Sequence, residues 1–386
     1  MRASLRPLPL ALGGLASLAT AVGIGRFIYT PILPAMAEGL GLSKGAAGLI
    51  ASANFIGYLA GAVLAAQPWL TAHPRRWLLA FLALSSLTTM AMAWGEGMAA
   101  YLALRFLGGV ASAYVLVLAS TLVLDRLNAA GAGRLSAVHF AGVGTGTAVS
   151  ALLTWALSST GHAWRSLWLW GGIVSLLGLG AAALLVPDGD AATTPAAPVQ
   201  GAVAHTRLRW LTLAYGLFGF GYVITATFLV AIARGSPDAR PYEPAFWLVL
   251  GLAAVPSVGL WLAAGRAFGI MKTFAAACLV EAVGVLASVA SGTPAALLLA
   301  SGLLGGTFMG ITALGLMAAR QLAPGAAMRW VAIATAAFGI GQIVGPVVAG
   351  YGFDLTGSFF LPSLLAAAAL GTSALIGFLL GDATAA

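Results

Sequence analysis

Apolar residues in this chain gather into runs of about 20, separated by short polar stretches, along its whole length. Twelve runs, near residues 9–36, 46–70, 76–95, 98–124, 136–159, 164–186, 209–233, 244–265, 272–291, 294–319, 329–351 and 358–380, predict twelve helices. Helices of this length satisfy all of their backbone donors and acceptors internally, which is what crossing hydrocarbon requires. Short alternating segments, the mark of a transmembrane barrel, are absent from the sequence. The reading is therefore an all-α polytopic membrane protein with twelve transmembrane helices. The first run is too long for a cleaved signal peptide and contains Arg26.

The longest interruption runs from Pro187 to Thr206 and carries Asp188, Asp190, Pro195 and Pro198. It reads as a linker at 187–208 between an amino-terminal six-helix bundle, 1–186, and a carboxy-terminal one, 209–386. Basic residues orient the spans. Arg2, Arg6, Arg75, Arg76, Arg126, Arg134, Arg207, Arg209, Arg266, Lys272, Arg320 and Arg329 fall on one side. Lys44, Arg165, Arg234 and Arg240 fall on the other, and Arg26 and Arg105 lie inside spans. The expectation is that both termini and the linker are cytoplasmic. Richness in Ala and Gly suggests a bacterial inner membrane.

Composition narrows the classes. The 386 residues are 61% hydrophobic and 7% charged, and the mean hydropathy is +1.00. A net charge of +8 arises from single basic residues between apolar runs, with no patch for nucleic acid. Cys278 is the only cysteine, so there is no disulfide framework and no metal-ligand spacing. No nucleophile elbow, zinc-protease motif or phosphate-binding Gly-x-x-x-x-Gly-Lys is present. Neither an enzyme nor an ATP-driven pump is expected, and no cofactor or metal is called for.

The two halves look duplicated. Gly23-Ile-Gly25 matches Gly219-Phe-Gly221, Gly108-Gly109 matches Gly305-Gly306, and Gly142-Val-Gly144 matches Gly339-Ile-Gly341, at offsets of 196 or 197. Parallel six-span repeats of this kind occur in secondary transporters.

Gly23-Ile24-Gly25-Arg26-Phe27-Ile28-Tyr29-Thr30-Pro31 and Gly305-Gly306-Thr307-Phe308-Met309-Gly310-Ile311-Thr312 resemble the YbfB/YjiJ-type branch of the major facilitator superfamily. The resemblance covers nearly the whole chain. It implies two pseudo-symmetric bundles, the major facilitator fold, alternating access, a cavity lined by spans 1, 4, 7 and 10, and a monomer. Leu102-Ala-Leu-Arg105-Phe-Leu-Gly108-Gly109 resembles the family's span 4 motif, whose Arg is linked to proton coupling or structure. The loop after span 2 departs from the family pattern. Gly61-Ala-Val-Leu-Ala65-Ala66 lacks the acid, although Arg75 and Arg76 follow, which puts the usual gating ion pair in doubt. Gly341-x-x-x-Gly345-Pro346 resembles the antiporter motif but sits in span 11. No antiport is inferred from it.

Arg26 is the leading candidate, because an Arg at a helix centre costs about 2.5–3.5 kcal/mol on insertion scales. With helical spacing, Tyr29 and Thr30 share its face. It reads as an anion-binding or coupling site, or else as a structural ion pair or hydrogen-bond hub. Arg105 is expected at similar depth, where an anionic substrate would relieve the repulsion between the two cations. Carbonyl contacts at the glycine stripe are its other reading. Glu281 lies deep in span 9, and burial favours a neutral carboxyl, which suits a proton carrier. Its alternative is a hydrogen-bonded interhelix contact. Asn54 and Tyr58 share a face of span 2, Tyr222 and Thr225 share one of span 7, and Gln342 lies deep in span 11. All could bond a ligand or a neighbouring helix.

His139 reads as interfacial, and Trp69, Trp77, Trp164 and Trp330 read as interfacial anchors. The glycine spacings Gly142/Gly146 and Gly341/Gly345 read as close-packing stripes. The functional expectation is a secondary transporter of a small organic anion, carboxylate-like and coupled to protons. Its substrate site would comprise Arg26, Tyr29, Thr30, Asn54, Tyr58, Arg105, Tyr222 and Gln342, with Arg105 and Glu281 in proton coupling. Efflux of neutral or amphipathic compounds, and a transport-dead sensor of the same fold, are the alternatives.

Overall fold

A computed structural model describes residues 6–65, 73–188, 205–323 and 326–382. Most of the expected linker, together with Arg2, Ala66 and Trp69, lies outside these residues. Among the described residues there is no strand. The helices are α1 (Pro7–Leu18), α2 (Tyr29–Leu40), α3 (Lys44–Leu64), α4 (Pro74–Ala91), α5 (Gly97–Ala129), α6 (Ser136–Ser159), α7 (Trp164–Leu185), α8 (His205–Arg234), α9 (Glu243–Phe268), α10 (Ile270–Ala290), α11 (Pro294–Leu322), α12 (Ala327–Thr356) and α13 (Phe360–Leu380). α1 and α2 together form span 1, and each later span is one helix. Among the described residues, eleven segments are long and apolar enough to cross a membrane. The twelfth, α4, is only 18 residues and opens on Arg75 and Arg76.

Span 1 is not the single helix that its apolar run suggests. α1 passes into a π-helical stretch, Ala19–Ile24, and a turn follows before α2. Gly25 N donates to Thr20 O at 2.9 Å and Phe27 N to Val22 O at 3.3 Å, both five residues back. Pro31 sits in the first turn of α2, where a missing N–H costs nothing. Gly23 fits here because the backbone of α6 presses on it: a Cβ would lie 2.6 Å from Gly146 Cα. Arg26 N still donates to Val22 O at 3.3 Å and Ile28 N to Ile24 O at 2.9 Å, so the wide turn shifts the register of span 1 without severing it.

The chain divides into two compact units, Met1–Gly41 with Ala53–Thr194, and Leu42–Ser52 with Pro195–Ala386. In the first, α4 packs on α5 and α7, and α1 packs on α6. In the second, α8 packs on α12 and α13, while α11 lies against α9 and α10. The start of α3 belongs to the second unit. There Lys44 N and Gly45 N donate to the Asp354 carboxylate at 3.0 and 2.8 Å, and Ser52 Oγ donates to Ile343 O at 2.7 Å.

Small residues set how closely helices approach. A Cβ on Gly109 would lie 2.0 Å from Asn54 O, and one on Gly305 2.1 Å from Leu250 O. The same packing thus recurs in both units, and it pairs Gly109 with Gly305, not Gly108 with Gly305. Likewise Gly142 and Gly146 press on Leu15 O and Ala19 O, as Gly341 and Gly345 press on Gly216 O and Phe220 O. The repeat therefore aligns Gly142 with Gly341, where residue matching aligned it with Gly339. Glycines along a helix are interchangeable to the eye; the carbonyl each one meets is not.

His139 is fully buried, with Nε2 3.3 Å from Ser120 Oγ and its ring against Gly14. Trp164 and Trp330 are buried in packing, against Tyr101 and His205 respectively. Arg75 pairs with Asp188 at 3.2 Å and donates to Val186 O and Ala183 O at the end of α7.

Candidate functional site

In the first unit the site forms around the wide turn in span 1. Arg26 is 6% exposed. Its guanidinium carbon lies 4.0 Å from the Tyr58 ring centroid, 4.7 Å from Phe55 and 5.8 Å from Phe27. Aromatic faces compensate part of the hydration a buried cation gives up. Phe55 and Tyr58 are near neighbours on α3, so one helix face supplies both rings.

Arg105, on α5, is 4% exposed and holds the turn itself. Its Nη1 donates to Gly25 O and its Nη2 to Arg26 O, both at 3.1 Å. These carbonyls belong to the turn where span 1 leaves regular α-helical geometry. The fork geometry of the guanidinium suits two acceptors at once. Asn54 Nδ2 donates to Arg105 O at 2.9 Å, which ties α3 to the same point. The Tyr29 ring lies 5.0 Å from the Arg105 guanidinium carbon and 6.3 Å from Trp168. Arg26 and Tyr29 thus face different partners. Arg105 has no carboxylate partner among the described residues, and two of its donors are occupied by backbone. Thr30 is buried beside Tyr29 at the start of α2.

In the second unit Tyr222 of α8 and Gln342 of α12 come together, with Gln342 Nε2 donating to the Tyr222 hydroxyl. The Tyr222 ring is nearly parallel to Phe308 and to Phe338, each at 5.8 Å, and Phe218 lies 5.2 Å away. Tyr215 continues the stack at 5.0 Å from Phe338. Thr225 is buried with its hydroxyl lacking a partner among the described residues. Glu281 is fully buried on α10, and the Thr307 hydroxyl of α11 is beside it. Neither carboxyl oxygen reaches hydrogen-bond geometry with a donor among the described residues.

The aromatic partners were invisible in the sequence. Phe55, Phe308 and Phe338 stand in apolar runs, where a phenylalanine looks like any lipid-facing or core residue. Only Phe55 had a usable signal, since it lies beside Asn54 and within one turn of Tyr58.

No curated protein matches this chain. Its fold is similar to that in crystal structures of the nucleoside transporter NupG. A NupG mutant superposes with a TM-score of 0.75 at 15% identity, covering 97% of this chain and 98% of that one. A second NupG structure gives 0.70 at 16% identity, with the same coverage. At such identities the likeness establishes the fold, a major facilitator architecture. The family model described as "Uncharacterised MFS-type transporter YbfB" matches residues 18–378. With nearly all of its helical length matched, this chain belongs to the YbfB family of MFS-type membrane transporters.

Proposed function

We propose that this protein is a secondary transporter of a small, carboxylate-like organic anion, coupled to protons and working by alternating access. The observation that carries the reading is Arg26, a permanent cation buried at the wide turn of a membrane span between the rings of Phe55 and Tyr58. Intramembrane charge is costly and, by default, marks a substrate or ion pathway. In this reading Arg26 takes the anion. Arg105 and Asn54 hold the turn that presents it, Tyr58 backs its guanidinium, and Tyr29 and Thr30 complete the substrate surface of the first unit. Tyr222 and Gln342 supply the hydroxyl and amide of the second unit. Arg105 senses the charge next to Arg26, and Glu281 carries the proton. The setting is a bacterial inner membrane with both termini cytoplasmic, and the protein acts as a monomer.

A second reading is favoured by the second unit. The parallel rings of Tyr222, Phe308 and Phe338, with the Gln342 amide, suit a neutral planar solute with hydrogen-bonding edges. A nucleoside, the substrate class named for NupG, is of that kind.

Ligand-dependent thermal stability of the purified protein separates the two, because a ligand bound only by the folded state raises apparent stability. The panel is aliphatic and aromatic carboxylates, inorganic phosphate and neutral nucleosides. The expected result is stabilisation by one carboxylate class that disappears in Arg26→Ala. Stabilisation by nucleosides that survives Arg26→Ala and fails in Tyr222→Phe would replace the first reading with the second.

A further inference from the structure

One turn of α11 is held from outside. The Gly306 carbonyl and the Gly310 amide are the two ends of a single helical turn. Ser257 of α9, fully buried, donates its hydroxyl to Gly306 O at 2.9 Å and accepts from Gly310 N–H at 3.1 Å. Trp261, one turn further along α9, donates its indole N–H to the same carbonyl at 2.6 Å. A side chain inserted into the i→i−4 ladder is a recognised cause of helix bending. The local sequence allows it. A Cβ on Gly306 would meet nothing within 4 Å, while Gly310 lies directly under Trp261, 2.2 Å from Cδ1 to an added Cβ. Both ends of this turn are thus tied to α9.

The other flank of the same turn faces Glu281. Thr307 Oγ1 donates to Leu303 O at 2.6 Å and is the neighbour of the Glu281 carboxyl. Cys278, one turn from Glu281, is turned towards Ser373 of α13. Between its termini α13 carries no charged residue. The charges of α8, α9, α10 and α11 (Arg207, Arg209, Arg234, Glu243, Arg266, Lys272 and Arg320) all lie towards helix ends. No charged group therefore compensates Glu281 at its own level among the described residues.

A hydroxyl has one proton to give. While Thr307 donates to Leu303 O, its oxygen can only accept, which fits a protonated Glu281. An ionised Glu281 requires a donor, because a buried carboxylate without one is costly. Turning the Thr307 proton towards it releases Leu303 O in the turn adjoining Gly306. The proton taken or released by Glu281 is exchanged with water.

We propose that Gly306–Gly310 is a hinge of α11, held shut by the positioning residues Ser257 and Trp261 and set by the proton on Glu281. The use of this hinge in a transport cycle rests on the function proposed above; its existence does not.

Hydrogen–deuterium exchange of α11 peptides in the full-length purified protein tests this without a substrate. Wild type, Ser257→Ala, Ser257→Thr, Trp261→Phe and Glu281→Gln are compared at about pH 5 and about pH 8, corrected for intrinsic exchange. Wild type is expected to exchange faster around Gly310 at the higher pH. Glu281→Gln is expected to stay slow at both. Ser257→Ala should exchange at least about tenfold faster, the effect of losing the two hydrogen bonds of its hydroxyl, and Ser257→Thr should not. Should Ser257→Ala fail to fold, Trp261→Phe keeps an aromatic side chain, removes the indole N–H together with the five-membered ring, and gives the same readout. Unchanged exchange in both clamp variants would overturn the hinge, and a pH response retained by Glu281→Gln would overturn its control. A hinge that behaves as expected in a protein that binds no anion would sink only the function.

Discussion

Two arginines buried in one unit have different surroundings. Arg26 lies over the rings of Phe55 and Tyr58, whereas Arg105 bonds the carbonyls of Gly25 and Arg26. Hydrogen bonds to charged groups contribute about 1.5–3 kcal/mol each. Replacing Arg105 with Ala should therefore lower unfolding stability by about 3 kcal/mol or more, with a loss of ligand-induced stabilisation that follows from the collapsed turn. Arg105→Lys can reach one carbonyl but not both, so an intermediate melting temperature is expected. Equal melting temperatures for wild type and Arg105→Ala would remove Arg105 from this role. Arg26→Ala should behave oppositely, with fold and insertion kept and anion-induced stabilisation lost. Both arginines were legible in the sequence because a charge inside an apolar run stands out. What each one touches was not, because its partners are backbone carbonyls and phenylalanines.

At the scale of the helix, glycine position matters more than glycine number. Gly305 and Gly306 are adjacent, yet an added Cβ would lie 2.1 Å from Leu250 O at the first and meet nothing within 4 Å at the second. Gly305→Ala is thus expected to force α11 away from α9 and cost about 1–3 kcal/mol, as overpacking does. Gly306→Ala should leave thermal stability unchanged or slightly raised, since Ala favours helix by up to about 1 kcal/mol over Gly. Parallel thermal melts of the two variants check this, and equal losses would contradict the packing. The wide turn in span 1 belongs to the same scale. Its apolar run is continuous through residues 9–36, so hydropathy shows one span. Within the π-helical stretch Gly23 lies against Gly146, on a helix more than a hundred residues away in sequence.

For the molecule as a whole, the count of basic residues on alternate sides predicts a topology that can be read by labelling. Cys278 is fully buried and is replaced by Ala to give a clean background. Ser43, Ser358 and Ala130 are exposed in the turns between helices. Ser43→Cys and Ser358→Cys should react with a membrane-impermeant maleimide in intact cells, and Ala130→Cys only after permeabilisation. The reverse pattern would invert the orientation drawn from Lys and Arg. The duplicated organisation was visible in glycine spacing, although its register needed the carbonyls that each glycine meets. The membership of Leu42–Ser52 in the second unit had no sequence signal. It depends on Asp354 capping the start of α3, a contact across some three hundred residues.

The sequence by itself determined the membrane class, the all-helical fold and the family, because long apolar runs and recurrent motifs are local properties of the chain. It also marked Arg26, Arg105 and Glu281, since an ionisable group in hydrocarbon is conspicuous wherever the chain folds. Tertiary structure alone decided the π-helical turn in span 1, the different surroundings of the two arginines, the pairing of Tyr222 with Gln342, and the contacts of Ser257 and Trp261 with α11. Each of these depends on which backbone carbonyl or ring comes within a few ångströms of a side chain. In a chain this rich in Ala, Gly and Leu, many helix faces are equivalent by composition, and only packing tells them apart.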